Sequence, residues 1–106
     1  MKRIQVITIA VGLAAGSSMA FAAGSADKGK EVFDQCSICH NADSTETKIG
    51  PGLKGLFKHE KLVNGKPVNE ANVRAKIDEG GNGMPAYKEI LSDKEKDDVV
   101  AYLKTL

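Results

Sequence analysis

The segment Cys36-Ser37-Ile38-Cys39-His40 determines most of what this sequence predicts. In this C-x-x-C-H motif, two thiols one helical turn apart can add to the two vinyl groups of a haem. The adjacent imidazole would then lie against the iron and supply a nitrogen ligand. Because thioether bonds are permanent, the cofactor could not be lost outside the cell. The motif therefore predicts one covalently bound haem c, attached at Cys36 and Cys39, with His40 as an iron ligand.

Three other uses of the two cysteines compete with haem attachment. A thioredoxin-like redox couple expects a βαβ context, and the sequence shows no convincing strand pattern. A structural zinc site needs four ligands, and beyond Cys36, Cys39 and His40 only His59 or a carboxylate is left. A plain disulfide is the third alternative. We favour haem attachment, and the sequence leaves the alternatives open.

The N-terminus has the order of a secretory signal peptide. Two of the first three residues are basic, residues 4–15 are mostly apolar, and small residues follow as far as Ala22. The apolar run is shorter than the roughly 20 residues that a membrane-spanning helix needs. We therefore expect a signal peptide at residues 1–22, a functional domain at residues 23–106 and a periplasmic location. An uncleaved N-terminal anchor is the alternative.

Size and charge restrict the classes of protein that this domain could be. Removing residues 1–22 from the 106 would leave 84 residues with 13 basic and 14 acidic side chains. This balance does not imply a nucleic acid partner. A chain of this length buries a small share of its surface and usually needs a disulfide, a metal or a cofactor for stability. A haem at the centre would meet that need.

Helical patterns mark both ends of the domain. The first helix is predicted from Ser25 to Cys36, with Ser25 as its N-cap. A capping box at Ser92 and Glu95 begins the last helix. Each helix has apolar residues at i, i+3, i+4 and i+7. These are Gly29, Val32, Phe33 and Cys36 in the first helix, and Val99, Tyr102, Leu103 and Leu106 in the last.

The middle of the chain is less regular. Residues 41–68 follow no helical or strand period and are predicted to be loop, with short helical turns at most. Asn69 can cap another helix, in which Val73 and Ile77 lie one turn apart and which Gly80 ends. The predicted fold class is therefore all-α, with three to four short helices wrapped around one haem.

Met84 is the candidate for the second axial ligand. Met1 and Met19 would leave with the signal peptide, so Met84 would be the only methionine of the mature chain. A lone methionine usually fills a core, but glycines, an asparagine and a proline surround this one, and such a flexible segment suits a projecting ligand. A thioether opposite histidine raises the reduction potential of haem iron. The rival ligand is His59, whose charged neighbours favour a surface position.

Pro51 is a candidate partner of His40. It lies about ten residues beyond the histidine, within reach of a loop that returns beneath it. Its carbonyl group could accept the second ring proton of His40 and so orient the imidazole. An ordinary Gly-Pro turn explains the same residues equally well.

Taken together, these motifs resemble the class I cytochrome c family, and the small bacterial members more than the longer mitochondrial ones. The resemblance rests on Gly29, Phe33, Cys36-x-x-Cys39-His40, Gly50-Pro51, Gly83-Met84-Pro85 and Ala101-Tyr102-Leu103. It implies that the first and last helices cross where Gly29 and Phe33 meet Tyr102 and Leu103. It also implies axial ligation by His40 and Met84, with the Pro51 carbonyl behind the histidine. The lysine-rich docking face of the family is not clearly reproduced.

With both axial positions filled, the iron would have no open site for substrate, which predicts an electron carrier and not an enzyme. We expect a soluble monomer that exchanges electrons with redox proteins, such as a membrane-bound donor or a terminal oxidase, without inserting into the membrane. A small-ligand sensor or peroxidase with a labile Met84 is the alternative. A haem-free thiol or zinc protein is the third hypothesis.

Overall fold

The computed structural model describes residues 24–106, and the regular secondary structure of these residues is helical. The α-helices are α1 (Ala26–Val32), α2 (Glu70–Glu79) and α3 (Asp93–Leu103), with short 3-10 turns at Phe33–Gln35 and Leu56–Lys58. Within the described part of the chain, β-structure is limited to two isolated bridges. The all-α prediction is confirmed. The predicted signal peptide lies outside the described residues.

The helices begin at the residues that the sequence predicts. Ser25 and Asn69 each accept a hydrogen bond from the backbone N–H three residues on, at 3.2 and 2.8 Å. Ser92 and Glu95 form the complete capping box. The Ser92 N–H donates to Oε1 of Glu95 at 2.8 Å, and the Glu95 N–H donates to Oγ of Ser92 at 3.1 Å. The first helix is shorter than predicted, because α1 ends at Val32 and the chain tightens into a 3-10 turn before the cysteines.

Helices α1 and α3 cross in close contact at Gly29. A Cβ atom at this position would lie 1.9 Å from the carbonyl oxygen of Asp98 and 2.8 Å from Cβ of Tyr102, so only glycine fits. One turn further on, the rings of Phe33 and Tyr102 are 5.4 Å apart and inclined at 57°. This is the helix crossing that the family resemblance implies.

The hydrophobic core is small and lies where α1, α2 and α3 converge. Its buried residues are Phe33, Val73, Ile77, Leu91, Val99, Val100 and Leu103. They come from α2, from α3, from the 3-10 turn that follows α1 and from the segment before α3. Within residues 24–106, no helix is long and apolar enough to cross a bilayer.

Charged side chains also join α2 to α3. Pairs of opposite charge follow one another along the two helices, and we call them the ionic ladder: Glu70–Lys104 at 3.0 Å, Arg74–Asp97, and Asp78–Lys96 at 2.8 Å. The α2 members are four residues apart and therefore share one face of the helix. The ladder joins α2 to α3 along the length of α2, and its Asp78–Lys96 pair lies at the C-terminal end of that helix.

Candidate haem-binding site

A cavity of about 480 Å³ opens between the core and the loops, within the size range of small-molecule and cofactor sites. Its walls bring together every site residue that the sequence singles out: Cys36, Cys39, His40, Pro51 and Met84, together with His59. Core residues of α2, of α3 and of the 3-10 turn after α1 form its apolar floor. Candidate ligands from segments far apart in sequence therefore face one apolar space.

The two cysteines lie in the turn that follows α1. Both thiols are free and partly buried. Burial, with a smaller contribution from nearby Cys39, raises the pKa of the Cys36 thiol to about 11. At neutral pH this thiol is therefore protonated in the haem-free protein. In the described part of the chain, no three His, Cys, Asp or Glu side chains converge as metal ligands.

His40 is held by the loop that returns beneath it. Its Nδ1 lies 2.7 Å from the carbonyl oxygen of Pro51. Because a carbonyl group only accepts hydrogen bonds, Nδ1 is the donor, and in the neutral ring Nε2 then keeps its lone pair. A Cβ atom at Gly50 would lie 2.6 Å from Cε1 of the imidazole, so the loop reaches this position only because residue 50 is glycine. The loop thus prepares Nε2 as a metal ligand.

Met84 ends a tight two-residue turn. Gly81 and Met84 exchange backbone hydrogen bonds of 2.9 and 3.1 Å across Asn82 and Gly83. The φ angles of the two central residues are 54° and 91°, as in a type I′ turn, for which Asn-Gly is the preferred sequence. We call residues 81–84 the Met84 hairpin. The glycines of this segment predict flexibility, whereas the structure has a hydrogen-bonded turn, for which the Asn-Gly pair is the sequence signal.

The base of the Met84 hairpin is tied to α2. A Cβ atom at Gly80, whose φ is 64°, would lie 2.4 Å from the carbonyl oxygen of Met84. The Lys76 ammonium donates to the carbonyl oxygen of Gly80 at 3.0 Å. Beyond the hairpin, the Tyr87 N–H donates to the carbonyl oxygen of Ile77 at 2.9 Å. The chain therefore leaves α2, turns at Met84 and returns along the same helix.

The two rival ligands differ in burial. His59 follows the second 3-10 turn and is exposed at the edge of the cavity. Met84 is half-buried and packs against the hydrophobic core. A sulfur ligand supported by the core needs less rearrangement to stay on a metal than an exposed imidazole does.

Comparison with known proteins identifies the family. The cytochrome c family model matches residues 26–106, nearly all of the described chain. The chain belongs to the cytochrome c family. Cytochrome c2 of Blastochloris viridis is 32% identical over 100 residues, covering 78% of this cytochrome and 79% of that protein. Cytochrome c6 of Leptolyngbya boryana is 36% identical over 76 residues, covering 71% of this cytochrome and 85% of that protein.

The fold of this cytochrome is also found in solved structures. Cytochrome c6 from the diatom Phaeodactylum tricornutum superposes with a TM-score of 0.62 at 26% identity, covering 77% of this cytochrome and 93% of that chain. Cytochrome cH from Methylobacterium extorquens gives a TM-score of 0.60 at 25% identity, covering 78% and 100%. The protein is thus a small monohaem cytochrome c that carries electrons and binds one haem c covalently. The apolar cavity, the paired thiols and the prepared imidazole fit this cofactor.

Proposed function

We propose that this cytochrome attaches its haem through Cys36 and Cys39 and holds the iron between His40 and Met84. The observation that carries the proposal is that all four side chains line one cavity. When bound, the haem supplies a one-electron iron couple. The Pro51 carbonyl keeps the His40 ring oriented and makes its Nε2 a stronger donor.

Filling both axial positions makes the protein a carrier and not an enzyme. Electron exchange then takes place through the haem edge, without an open iron site for a substrate. The hydrogen bonds of the Met84 hairpin support this proposal over a sensor or peroxidase, because they hold the backbone that carries Met84 in one conformation. The sensor remains testable through the ligand-binding behaviour of the reduced iron.

We also propose that the carrier works outside the cytoplasm. The proposal rests on the signal-peptide pattern of residues 1–22, which would leave residues 23–106 as a periplasmic domain. Its partners would be redox proteins, such as a membrane-bound donor and a terminal oxidase, which it would meet as a monomer. Mass spectrometry of protein from the periplasmic fraction tests this, since we expect a chain that starts at Ala23 and carries one haem.

Absorption spectroscopy tests the ligand set. A ferric haem bound to methionine sulfur has a weak charge-transfer band in the near infrared. We expect this band in the wild-type protein and in His59→Ala, and expect Met84→Ala to lack it. Loss of the band in His59→Ala with retention in Met84→Ala would reverse the assignment. Colourless protein with free thiols, from a host that matures c-type cytochromes, would refute haem attachment at these cysteines.

A further inference from the structure

Lys96 is a lysine whose charged end is buried inside the protein. It is only 4% exposed, and Asp98 is the other charged residue that is buried among residues 24–106. Removing an ammonium group from water is strongly unfavourable unless partners compensate the charge. Its partners therefore indicate what this lysine does.

Two groups compensate the Lys96 charge. Its Nζ forms an ion pair with Oδ1 of Asp78 at 2.8 Å and donates to the carbonyl oxygen of Lys88 at 3.2 Å. Oδ1 of Asp78 is buried and receives no hydrogen bond from residues 24–106, so the Lys96 ammonium is what balances it. Asp93 lies further away, at 3.9 Å, and its side chain is 92% exposed, so water screens it.

The two partners of Lys96 stand on either side of the Met84 hairpin. Asp78 is in the last turn of α2, before the hairpin, and Lys88 lies four residues after Met84. These two residues also bond to each other, because the Lys88 N–H donates to the carbonyl oxygen of Asp78 at 3.2 Å. One buried ammonium on α3 thus holds both ends of the segment that carries Met84.

Helix α3 in turn has a defined position relative to the haem attachment turn. It crosses α1 at Gly29 without room for a Cβ atom, and α1 leads through Phe33–Gln35 to Cys36. The hydrogen bonds inside the Met84 hairpin preserve its shape, but they do not determine where the hairpin lies. Its place relative to Cys36 and His40 depends on how α2, to which it is tied, and the residues after Met84 are held on α3. The contacts of Lys96 with Asp78 and Lys88 are buried contacts of this kind.

We propose that Lys96 is a positioning residue that keeps Met84 at the haem iron, by holding both ends of the ligand-bearing segment on α3. This inference rests on the proposed ligation by Met84. Lys96 does not touch the haem itself, and it acts through Asp78 and Lys88. Loss of its charge frees the segment to move away and lowers the barrier to dissociation of the sulfur atom.

Imidazole binding to the ferric protein tests the proposal. Imidazole enters when Met84 leaves, so at saturating imidazole the observed rate equals the rate of Met84 dissociation. Lys96→Met keeps the length of the side chain and removes the charge. We expect this limiting rate to rise about tenfold or more, as befits the loss of one partner of a buried ion pair. The near-infrared sulfur band of Lys96→Met should be weaker than that of the wild type, or should disappear at a lower pH than the pH at which the wild type loses it.

A second variant and a matched control keep the test decisive. Asp78→Asn should also raise the limiting rate of imidazole binding, and it replaces Lys96→Met if that variant does not fold. Lys104→Met removes a charge from the exposed end of the ionic ladder, where both partners are partly in water. We expect the control to stay within about twofold of the wild type, since exposed ion pairs contribute little.

Two results would overturn the inference. One is an unchanged limiting rate in folded Lys96→Met or Asp78→Asn, and the other is an equal increase in Lys104→Met. Failure of the underlying ligand assignment shows itself separately. A wild-type ferric protein without the near-infrared sulfur band would reject Met84 ligation before any variant is compared, and the role of Lys96 would fall with it.

Discussion

The imidazole of His40 and the carbonyl group of Pro51 face each other at 2.7 Å, although the two residues are eleven positions apart. The Gly50 N–H, which donates to the carbonyl oxygen of Cys39 at 2.7 Å, holds the returning loop in place. Cofactor attachment and ligand orientation therefore meet within one short stretch of backbone. A change in this loop should affect the iron as well as the stability of the fold.

Gly50→Ala should disturb His40 directly. The new Cβ atom would lie 2.6 Å from the ring, so either the loop or the imidazole must move. We expect a loss of about 1–3 kcal/mol in the free energy of unfolding and a shift of the reduction potential, measured by denaturant titration and voltammetry. Pro51→Ala is the control, because it keeps the carbonyl acceptor and should change the potential less. Equal potentials in wild type and Gly50→Ala would contradict the prediction.

Carbon monoxide should distinguish a carrier from a sensor. We expect no immediate binding to the reduced wild-type protein, because in the proposed ligand set Met84 fills the sixth position and its hairpin is hydrogen-bonded. Met84→Ala opens that position and should bind one equivalent at once, as a spectrophotometric titration would show. Rapid stoichiometric binding by the wild type would favour the sensor or peroxidase hypothesis.

Gly83→Ala should weaken the sulfur ligand through the backbone. Residue 83 has a φ of 91°, a conformation that is unfavourable for alanine by about 1–2 kcal/mol. Gly65→Ala provides a matched control, since its φ is 85° and, as at Gly83, no atom lies within 4 Å of the new Cβ. Both variants should lose similar unfolding free energy, but only Gly83→Ala should lose intensity in the near-infrared sulfur band. A similar loss of this band in Gly83→Ala and in Gly65→Ala would show that the effect is not local.

Asp98 should make the stability of the fold depend on pH in the acid range. A hydrogen bond from Lys94 and another from the Ser25 N–H, at 2.6 and 2.8 Å, hold the pKa of this carboxyl group below its ordinary value of 3.8. Since the pKa is lower in the folded state, the carboxylate stabilises the fold above pH 3.8, and this contribution is lost as the pH falls through the folded-state pKa.

Denaturant unfolding at neutral and acid pH measures this contribution. Asp98→Asn should be less stable than the wild type at pH 7, with a difference that shrinks in acid. Asp34→Asn removes a charge from an exposed position, and its free energy of unfolding should differ little from that of the wild type at either pH. A deficit for Asp98→Asn that is independent of pH would assign its effect to packing and not to charge.

Much of the fold could be predicted from the sequence because the signals involved are local. The caps at Ser25, Asn69 and Ser92 bond to residues three positions away. The apolar periods require only that neighbours share one helix face. The choice of Met84 as candidate ligand followed from composition, since the other methionines belong to the predicted signal peptide, and from its setting among glycines, an asparagine and a proline. Contacts between residues that are close in sequence can therefore be predicted from the pattern of residue types.

Only the tertiary structure decided the contacts that tune the site. Whether Pro51 reaches His40 depended on the path of a loop that has no period of its own, and two outcomes were equally compatible with its residues. No sequence motif singles out Lys96 among the charged residues of α3, yet its ammonium is buried between Asp78 and the carbonyl group of Lys88. A charge can be buried only where the fold brings compensating groups to it, and those groups come from another helix and from the segment that follows Met84.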